Sequence, residues 1–200
     1  MQVALPELDA PAILNLNREV SVEEFEEFCA ANPSLRVELT ANGEISIMPP
    51  AGGESSFRSL GVSARLFTWA LTDQRGKAFD SSAAFVLSSS AILSPDAAWV
   101  ANEKLQSLTP AQRRRFLRLT PDFVVEVVSP SDRFADTEKK MQEWIANGVA
   151  LAWLIDGDAR AVSIYRPNLP PEIRKGVLSV SGEGPVAGFT LDLADIWAGL

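Results

Sequence analysis

The stretch PDFVVEVVSPSD, residues 121–132, is the most informative segment of the chain, because it places one carboxylate inside the most apolar strand candidate. Side chains alternate between the two faces of a strand, so Glu126 shares a face with Val124 and Val128. An ionised Glu is costly to bury unless a partner offsets its charge. The stretch therefore predicts a strand in the middle of a covered sheet, with a partner for Glu126 close by.

Size and composition fit an ordinary globular protein. Two hundred residues with 46% hydrophobic and 22% charged residues can form one domain with its own core. We expect a single domain over residues 1–200, made of an N-terminal extension (1–50), a core (51–167) and a C-terminal hairpin with a short helix (168–200). The longest apolar run is too short for a membrane span, and the N-terminus lacks the pattern of a secretory signal. We expect a cytoplasmic protein with no membrane partner.

The absence of histidine, together with a single cysteine, restricts the chemistry of any site. It excludes disulfide frameworks, zinc sites built on Cys and His, and catalytic triads that use His. A metal would be held by carboxylates, carbonyls and water, the oxygen ligands that suit Mg²⁺, Mn²⁺ or Ca²⁺. General-base work falls to Asp, Glu, Lys or a metal-bound water.

Hydrophobic periodicity predicts helices and strands in the order of an α/β protein. Ser21 and Glu24 form a capping box at the start of a first helix, and Asn42-Gly43 predicts a hairpin with a type I′ turn. A long helix follows over about 54–73, with two apolar stripes that predict burial on two sides. The remaining pattern is three strands, a helix over about 132–147, two strands joined at a turn, a hairpin and a short helix. This order predicts a central mixed β-sheet flanked by helices.

Asp96 is the first candidate partner of Glu126. If ILSPDAAWV, residues 92–100, pairs beside the strand of Glu126, the two carboxylates lie about 5 Å apart on a shared face. Carboxylates that close raise each other's pKa unless a cation lies between them, so a divalent metal would explain both residues. The alternatives are an Arg or backbone partner for Glu126, and a simple turn role for Asp96 after its proline.

Lys140 is the candidate cationic side chain. At 100° per residue it lies on the border of the buried stripe of its helix, whereas Lys139 points to water. Its stem could lie along the sheet while the ammonium group reaches the carboxylates. The alternative is a surface ion pair with Asp136, four residues earlier.

Three other acidic residues need separate interpretations. Glu54 borders an apolar stripe at the start of the long helix and is a candidate auxiliary ligand. Glu38, in the predicted hairpin, is a weaker candidate for the rim of the site. Asp122 lies four strand residues from Glu126, roughly 13 Å away, which is too far to share one metal ion.

Three segments together resemble the PD-(D/E)XK nuclease superfamily, and in particular its Uma family of restriction-endonuclease-like proteins. They are Pro95-Asp96, Glu126 in VVEVVSPSD, and Lys140 in EKKMQEWIANGV. The superfamily pattern has its lysine two residues after the acidic residue, where this chain has Val128; in the Uma branch the lysine lies on the following helix, as Lys140 does. The resemblance covers nearly the whole chain, through SVEEFEEFCAANPSLRVELTANGEISIMPPAGGE, FDSSAAFVL, SPDAAWV, PDFVVEVVSPSDRFADTEKKMQEW and AWLIDGDARAVSIYRP.

The resemblance implies a restriction-endonuclease-like fold, a homodimer, and hydrolysis of DNA phosphodiester bonds. On this reading Asp96 and Glu126 hold Mg²⁺ or Mn²⁺, Lys140 orients or activates the attacking water, and Glu54 is an auxiliary metal ligand. The alternative is a catalytically silent module that binds nucleic acid or protein, which the net charge of −8 favours slightly. The arginine run in AQRRRFLRL, residues 111–119, is either a phosphate-facing patch or a solvated helical face.

Overall fold

The computed structural model describes residues 11–16, 18–130 and 133–200. Short 3₁₀ turns at Gln112–Arg114 and Gly184–Val186 accompany the regular elements. In chain order those elements are β1 (Ala12–Leu14), α1 (Val22–Ala31), β2 (Arg36–Leu39), β3 (Ile45–Met48), α2 (Gly53–Asp73), β4 (Gly76–Asp80), β5 (Phe85–Val86), β6 (Ile92–Leu93), β7 (Ala97–Ala101), α3 (Asn102–Gln106), β8 (Phe123–Val127), α4 (Phe134–Ala146), β9 (Leu151–Asp156), β10 (Ala161–Tyr165), β11 (Glu172–Lys175), β12 (Ser179–Ser181), β13 (Thr190–Asp192) and α5 (Ala194–Ala198).

A six-stranded mixed sheet forms the centre of the molecule, in the order β11-β10-β9-β8-β7-β4. Its neighbouring strands are antiparallel apart from β8 and β9, which run parallel. All five residues of β8 are buried, because FVVEV is apolar on both faces apart from Glu126. The prediction that this stretch forms a central strand is confirmed.

Helices cover both faces of the six-stranded sheet. On one face α2 packs against β4, β7 and β8, and Val62 and Leu66 are buried there. On the other face α4 packs against β8, β9 and β10 through the fully buried Met141 and Trp144. The predicted fold class, a central mixed sheet flanked by helices, is confirmed. Within the described ranges no helix has both the length and the apolar character needed to cross a membrane.

The N-terminal hairpin belongs to a second sheet, in the order β1-β3-β2-β6-β5. Helix α1 begins with the predicted capping box and covers this sheet with Phe25 and Phe28. Strand β2 pairs with β6 at Leu39 and Ile92, so the predicted boundary at residue 50 falls within a shared sheet. Of the Asn42-Gly43 pair only Gly43 has positive φ, 77°, whereas a type I′ turn requires it at both residues.

The C-terminal part extends the central sheet and then covers one of its faces. Strand β11 pairs with β10 at the edge, and β12 and β13 form the predicted hairpin before α5. Helix α4 ends as predicted, with Gly148 at φ 96° after the capping Asn147. The predicted start of this helix at Asp132 lies outside the described residues.

The prediction that α2 is buried on two sides is wrong for this chain alone. Val62 and Leu66 face the central sheet as expected. The other stripe faces outward, with Phe57 40%, Leu60 67%, Phe67 53% and Leu71 58% exposed. Periodicity reports that a helix has an apolar face, but it does not report which surface covers that face.

Candidate active site

The candidate site lies where β7 and β8 run side by side. Asp96 directly precedes β7, and Glu126 is the fourth residue of β8. Ala97 pairs with Val125, so the antiparallel register places Asp96 next to Glu126. The two strands pair as the sequence predicts.

Two side chains of α4 compensate the buried Glu126. Its Oε1 atom accepts hydrogen bonds from Lys140 Nζ and from the indole Nε1 of Trp144, each at 2.9 Å. Lys140 and Trp144 are four residues apart on the helix and therefore project from one face. Glu126 is 5% exposed, so these two donors replace the water that an exposed carboxylate would bind.

Lys140 is held by three acceptors. Besides Glu126, its Nζ atom lies 2.8 Å from Glu38 Oε1 and donates to the carbonyl oxygen of Ser94 at 3.0 Å. An ammonium group has three N–H donors, so these contacts use all of them. The neighbouring Lys139 has a 76% exposed side chain and pairs with Asp136, against 19% exposure for Lys140. The predicted difference in orientation between the two lysines is confirmed.

Glu38 brings the N-terminal hairpin into the site. It is buried on β2, and its Oε1 atom also accepts the backbone N–H of Ser94 at 2.8 Å. Sequence reasoning gave Glu38 only a weak role at the rim. The available signal was strand alternation, which separates Glu38 from Val37 and Leu39 but does not show that its face meets Lys140.

Asp96 is fixed by the backbone of β8 and by serines of α2. Its Oδ2 atom accepts the Val127 N–H at 2.8 Å, and its Oδ1 atom accepts the Ser59 hydroxyl at 3.3 Å. The Ser63 hydroxyl donates to the Asp96 carbonyl at 3.0 Å. Ser59 and Ser63 lie about one turn apart, and nothing in the sequence pattern marked them as part of the site.

The electrostatics of the cluster follow from burial and like charge. Burial raises the pKa of Asp96, and it raises the pKa of Glu126 to about 8, with Lys140 opposing and the Asp96 and Glu38 charges adding to the shift. Although burial alone favours the neutral amine, Glu126 and Glu38 raise the pKa of Lys140 above its ordinary value. Lys140 is therefore a permanent cation at neutral pH, whereas Glu126 can exchange a proton near pH 8.

The predicted auxiliary ligand Glu54 has partners outside the cluster. Its Oε1 atom pairs with Arg58 at 2.8 Å, and its Oε2 atom accepts the backbone N–H of Leu200 at 3.2 Å. Among the residues that the structure describes, no three His, Cys, Asp or Glu side chains gather closely enough to hold a metal ion. The predicted set of Asp96, Glu126 and Glu54 does not converge. Asp122 pairs with Lys104, also outside the cluster.

The donor set nevertheless fits a hard divalent cation held by two carboxylates. Mg²⁺ commonly uses one or two protein carboxylates and completes its shell with water and substrate phosphate oxygens. Asp96 and Glu126 supply such a pair. The acidic groups of Asp96, Glu126 and Glu38 also outnumber the single ammonium of Lys140, and a divalent cation would offset that excess.

The arginine run is not a helical face. Its centre is the 3₁₀ turn Gln112–Arg114, after which Arg115 pairs with Glu26 and Arg118 with Glu23 of α1. Half of the local positive charge is therefore neutralised within the chain.

The layered fold, with a buried cluster of acids and a lysine beside two central strands, is that of a restriction-endonuclease-like α/β protein. A family model described as "Putative restriction endonuclease" matches residues 22–194, and the chain belongs to this family, Uma2. A crystal structure described as "a putative nuclease belonging to DUF820", from Anabaena variabilis, aligns with a TM-score of 0.74 at 18% identity, covering 90% of this chain and 98% of that chain. This likeness shows the fold. None of the curated proteins compared with the chain matches it.

Proposed function

We propose that this protein is a metal-dependent endonuclease that hydrolyses DNA phosphodiester bonds. The observation that carries the proposal is the buried contact of 2.9 Å between Lys140 Nζ and Glu126 Oε1, beside Asp96, which directly precedes the neighbouring strand β7. Membership of a family described as restriction endonucleases supports a nuclease and a nucleic acid substrate. The choice of DNA and of Mg²⁺ or Mn²⁺ belongs to the proposal.

Asp96 and Glu126 would hold the divalent cation. When bound, such an ion lowers the pKa of a coordinated water and stabilises negative charge on the phosphate. Glu126 must lose its proton to bind the cation, and its pKa is raised to about 8. Binding of the cation would therefore be favoured at mildly alkaline pH. Glu54 has no role in the proposed centre, because Arg58 and Leu200 occupy its carboxylate.

Lys140 acts in this proposal as a fixed positive charge. Its raised pKa makes it a poor base, so it orients water or offsets charge that develops on the phosphate. Glu38 and Ser94 hold the ammonium group in place. Because all three donors of Lys140 have partners within the chain, substrate binding must displace at least one of them for direct contact.

A binding module without catalysis is the second candidate function. The full use of the Lys140 donors and the net charge of −8 both favour it. The two candidates differ in their need for a metal ion, since a silent module has no use for a cation between Asp96 and Glu126.

Nicking of supercoiled plasmid in Mg²⁺, Mn²⁺ or EDTA tests the proposal. We expect metal-dependent nicking by the wild-type chain and a loss of at least about 100-fold in Asp96→Asn, because the ligand charge is removed while the shape is kept. The control Asp136→Asn makes the same substitution of Asn for Asp at an exposed position, and this variant should nick plasmid at the wild-type rate. A folded wild-type chain that cuts with neither metal, and whose melting temperature neither metal raises, would favour the binding module.

A further inference from the structure

The outward face of α2 is a surface without charge on an acidic protein. The helix has 21 residues, and the chain carries a net charge of −8. The exposed residues of α2 are Gly53, Ser56, Phe57, Leu60, Ala64, Phe67, Thr68, Leu71 and Thr72. Exposed helix faces are normally rich in charged side chains, and an exposed apolar stripe marks an interaction surface.

The large side chains on this face follow a heptad spacing. Phe57, Leu60, Ala64, Phe67 and Leu71 occupy successive steps of three and four residues, which we call the α2 seam. Such spacing forms a straight stripe against a second helix that crosses at a shallow angle. The opposite face of α2 is the one that covers the central sheet, so the α2 seam is a second, uncovered packing face.

We propose that the α2 seam is a homodimer interface, in which two α2 helices pack antiparallel about a two-fold axis at Ala64. In a two-fold interface the same patch meets itself. Positions at equal distances from the axis then face each other, so Phe57 would pack near Leu71 of the partner subunit. Ala64 at the centre is small enough to let the helix backbones approach closely.

The shape of the surface favours the antiparallel arrangement. A cavity of about 210 Å³ lies beside the first half of the seam, between α2 and α5, and Gly61, Ala64 and Ile196 line it. In an antiparallel pair about Ala64, Gly61 faces Phe67 of the partner subunit, so each cavity lies opposite an exposed phenylalanine ring. In a parallel pair the two cavities would face each other instead.

The charges at the rim favour a second copy over a lipid surface. The Arg65 guanidinium beside the cavity pairs with Asp195 at 2.6 Å, so it brings no free positive charge to the surface. Amphipathic helices that bind membranes carry free Lys and Arg around the apolar face, whereas Arg58 of α2 is buried and Arg65 is paired with Asp195. The α2 seam contains none of the residues proposed for the active site, so the dimer stands independently of the nuclease proposal.

Sedimentation equilibrium at micromolar concentrations tests the interface. We expect the wild-type chain to have twice the 21.6 kDa mass of one chain, and the double variant Leu60→Glu/Phe67→Glu to be a folded monomer. The control Leu169→Glu/Ile173→Glu changes two equally exposed apolar residues away from the seam and should remain a dimer. A wild-type monomer would overturn the proposal and assign the seam to another protein or a lipid surface. A seam variant that stays a dimer would also overturn it.

Single cysteines test the orientation without disturbing the apolar surface. Diamide should oxidise the thiols of Ala64→Cys to an intermolecular disulfide across the axis. Leu71→Cys should not be linked, because its two copies would lie about 21 Å apart in an antiparallel pair. The wild-type chain is the control without an added cysteine. Burial raises the pKa of its Cys29 to about 11, so this residue stays in the unreactive thiol form and should not be linked. Linkage of Leu71→Cys alone would contradict the antiparallel arrangement, and linkage of neither variant would contradict the interface.

Discussion

Burial of the Glu126 carboxyl group has an electrostatic cost, and packing of the core does not require an acidic residue at this position. The other residues of β8 are apolar, and a valine would complete that strand. Instead the chain supplies Lys140 and Trp144 as donors to one carboxylate oxygen. A buried ion pair of this kind is seldom more stable than apolar residues of similar size, so its presence points to function.

Replacement of Glu126 by Gln should therefore stabilise the protein at alkaline pH. The pKa of Glu126 is raised from 4.5 to about 8 in the fold, so its stabilising effect is complete below pH 4.5 and is lost as the pH rises toward 8. Gln does not titrate. We expect the melting temperature of Glu126→Gln to exceed that of wild type by roughly 2 to 4 °C at about pH 9, with a smaller difference near pH 5.

The control for this measurement is Glu27→Gln, which removes an exposed carboxylate with the same chemical change. Its melting temperature should follow that of wild type across the pH range. A Glu126→Gln protein that is less stable than wild type at alkaline pH would show that the carboxylate form is favoured in the fold.

Individual residues of the site differ in how far the sequence could predict them. Helical periodicity separates Lys140 from Lys139 because one helix determines both directions. Glu38 could not be placed, since its contact with Lys140 depends on how two distant elements pack. The interpretation of Glu54 neglected its local partner Arg58, four residues later in the same helix, which accounts for its carboxylate.

Among the elements, the N-terminal hairpin contributes more to the candidate site than an appendage would. Glu38→Gln would keep the side-chain shape but remove the charge that holds Lys140 from the hairpin side. We expect metal-dependent nicking to fall about 10- to 100-fold with the fold intact, as is typical of residues that support a ligand or a catalytic charge. Kinetics on plasmid, with Glu27→Gln as the matched variant, measure this; unchanged nicking would remove Glu38 from the site.

The turn between β9 and β10 packs closely against α2. A Cβ atom on Gly157 would lie 2.4 Å from the Arg58 Cζ atom. Arg58 is buried and donates to the Ile196 carbonyl at 3.1 Å and to Asp158 at 2.9 Å. We expect Gly157→Ala to lower the free energy of unfolding by about 1 to 3 kcal/mol, because the added methyl displaces this network.

Chemical denaturation measures that effect, and Gly53→Ala is its control. A Cβ on Gly53, the first residue of α2, would meet only the flexible end of the Leu200 side chain, at 3.3 Å, so this variant should unfold at the same denaturant concentration as wild type or slightly above it. Equal stability of Gly157→Ala and wild type would contradict the close packing of Arg58 against the turn.

The sequence predicted the long elements well and their environments less well. Helices α1, α2 and α4 have strong periodicity and clear capping signals, and their order with the strands indicated the fold class. The hairpin at Gly43 was also predicted, but its turn type was not, since the conformation of Asn42 depends on the loop length. The outward seam of α2 was interpreted as buried because an apolar stripe does not specify its partner.

For the whole molecule, the pairing of the two sheets through β2 and β6 assembles the candidate site. It brings Glu38 from the first quarter of the chain to Lys140 from the third. Such long-range pairing leaves no local signal in composition or periodicity. The resemblance to a nuclease family predicted the fold class, whereas the contacts within the cluster came only from the three-dimensional arrangement.

A comparison of Lys140→Met with Lys139→Met in metal-dependent plasmid nicking shows whether the buried cluster is catalytic. The two lysines are adjacent on α4, but Lys140 contacts Glu126 at 2.9 Å while Lys139 pairs with Asp136 on the surface. We predict that Lys140→Met loses at least about 100-fold of the nicking rate and that Lys139→Met keeps the wild-type rate. Equal nicking by both folded variants would contradict a catalytic role for the buried cluster.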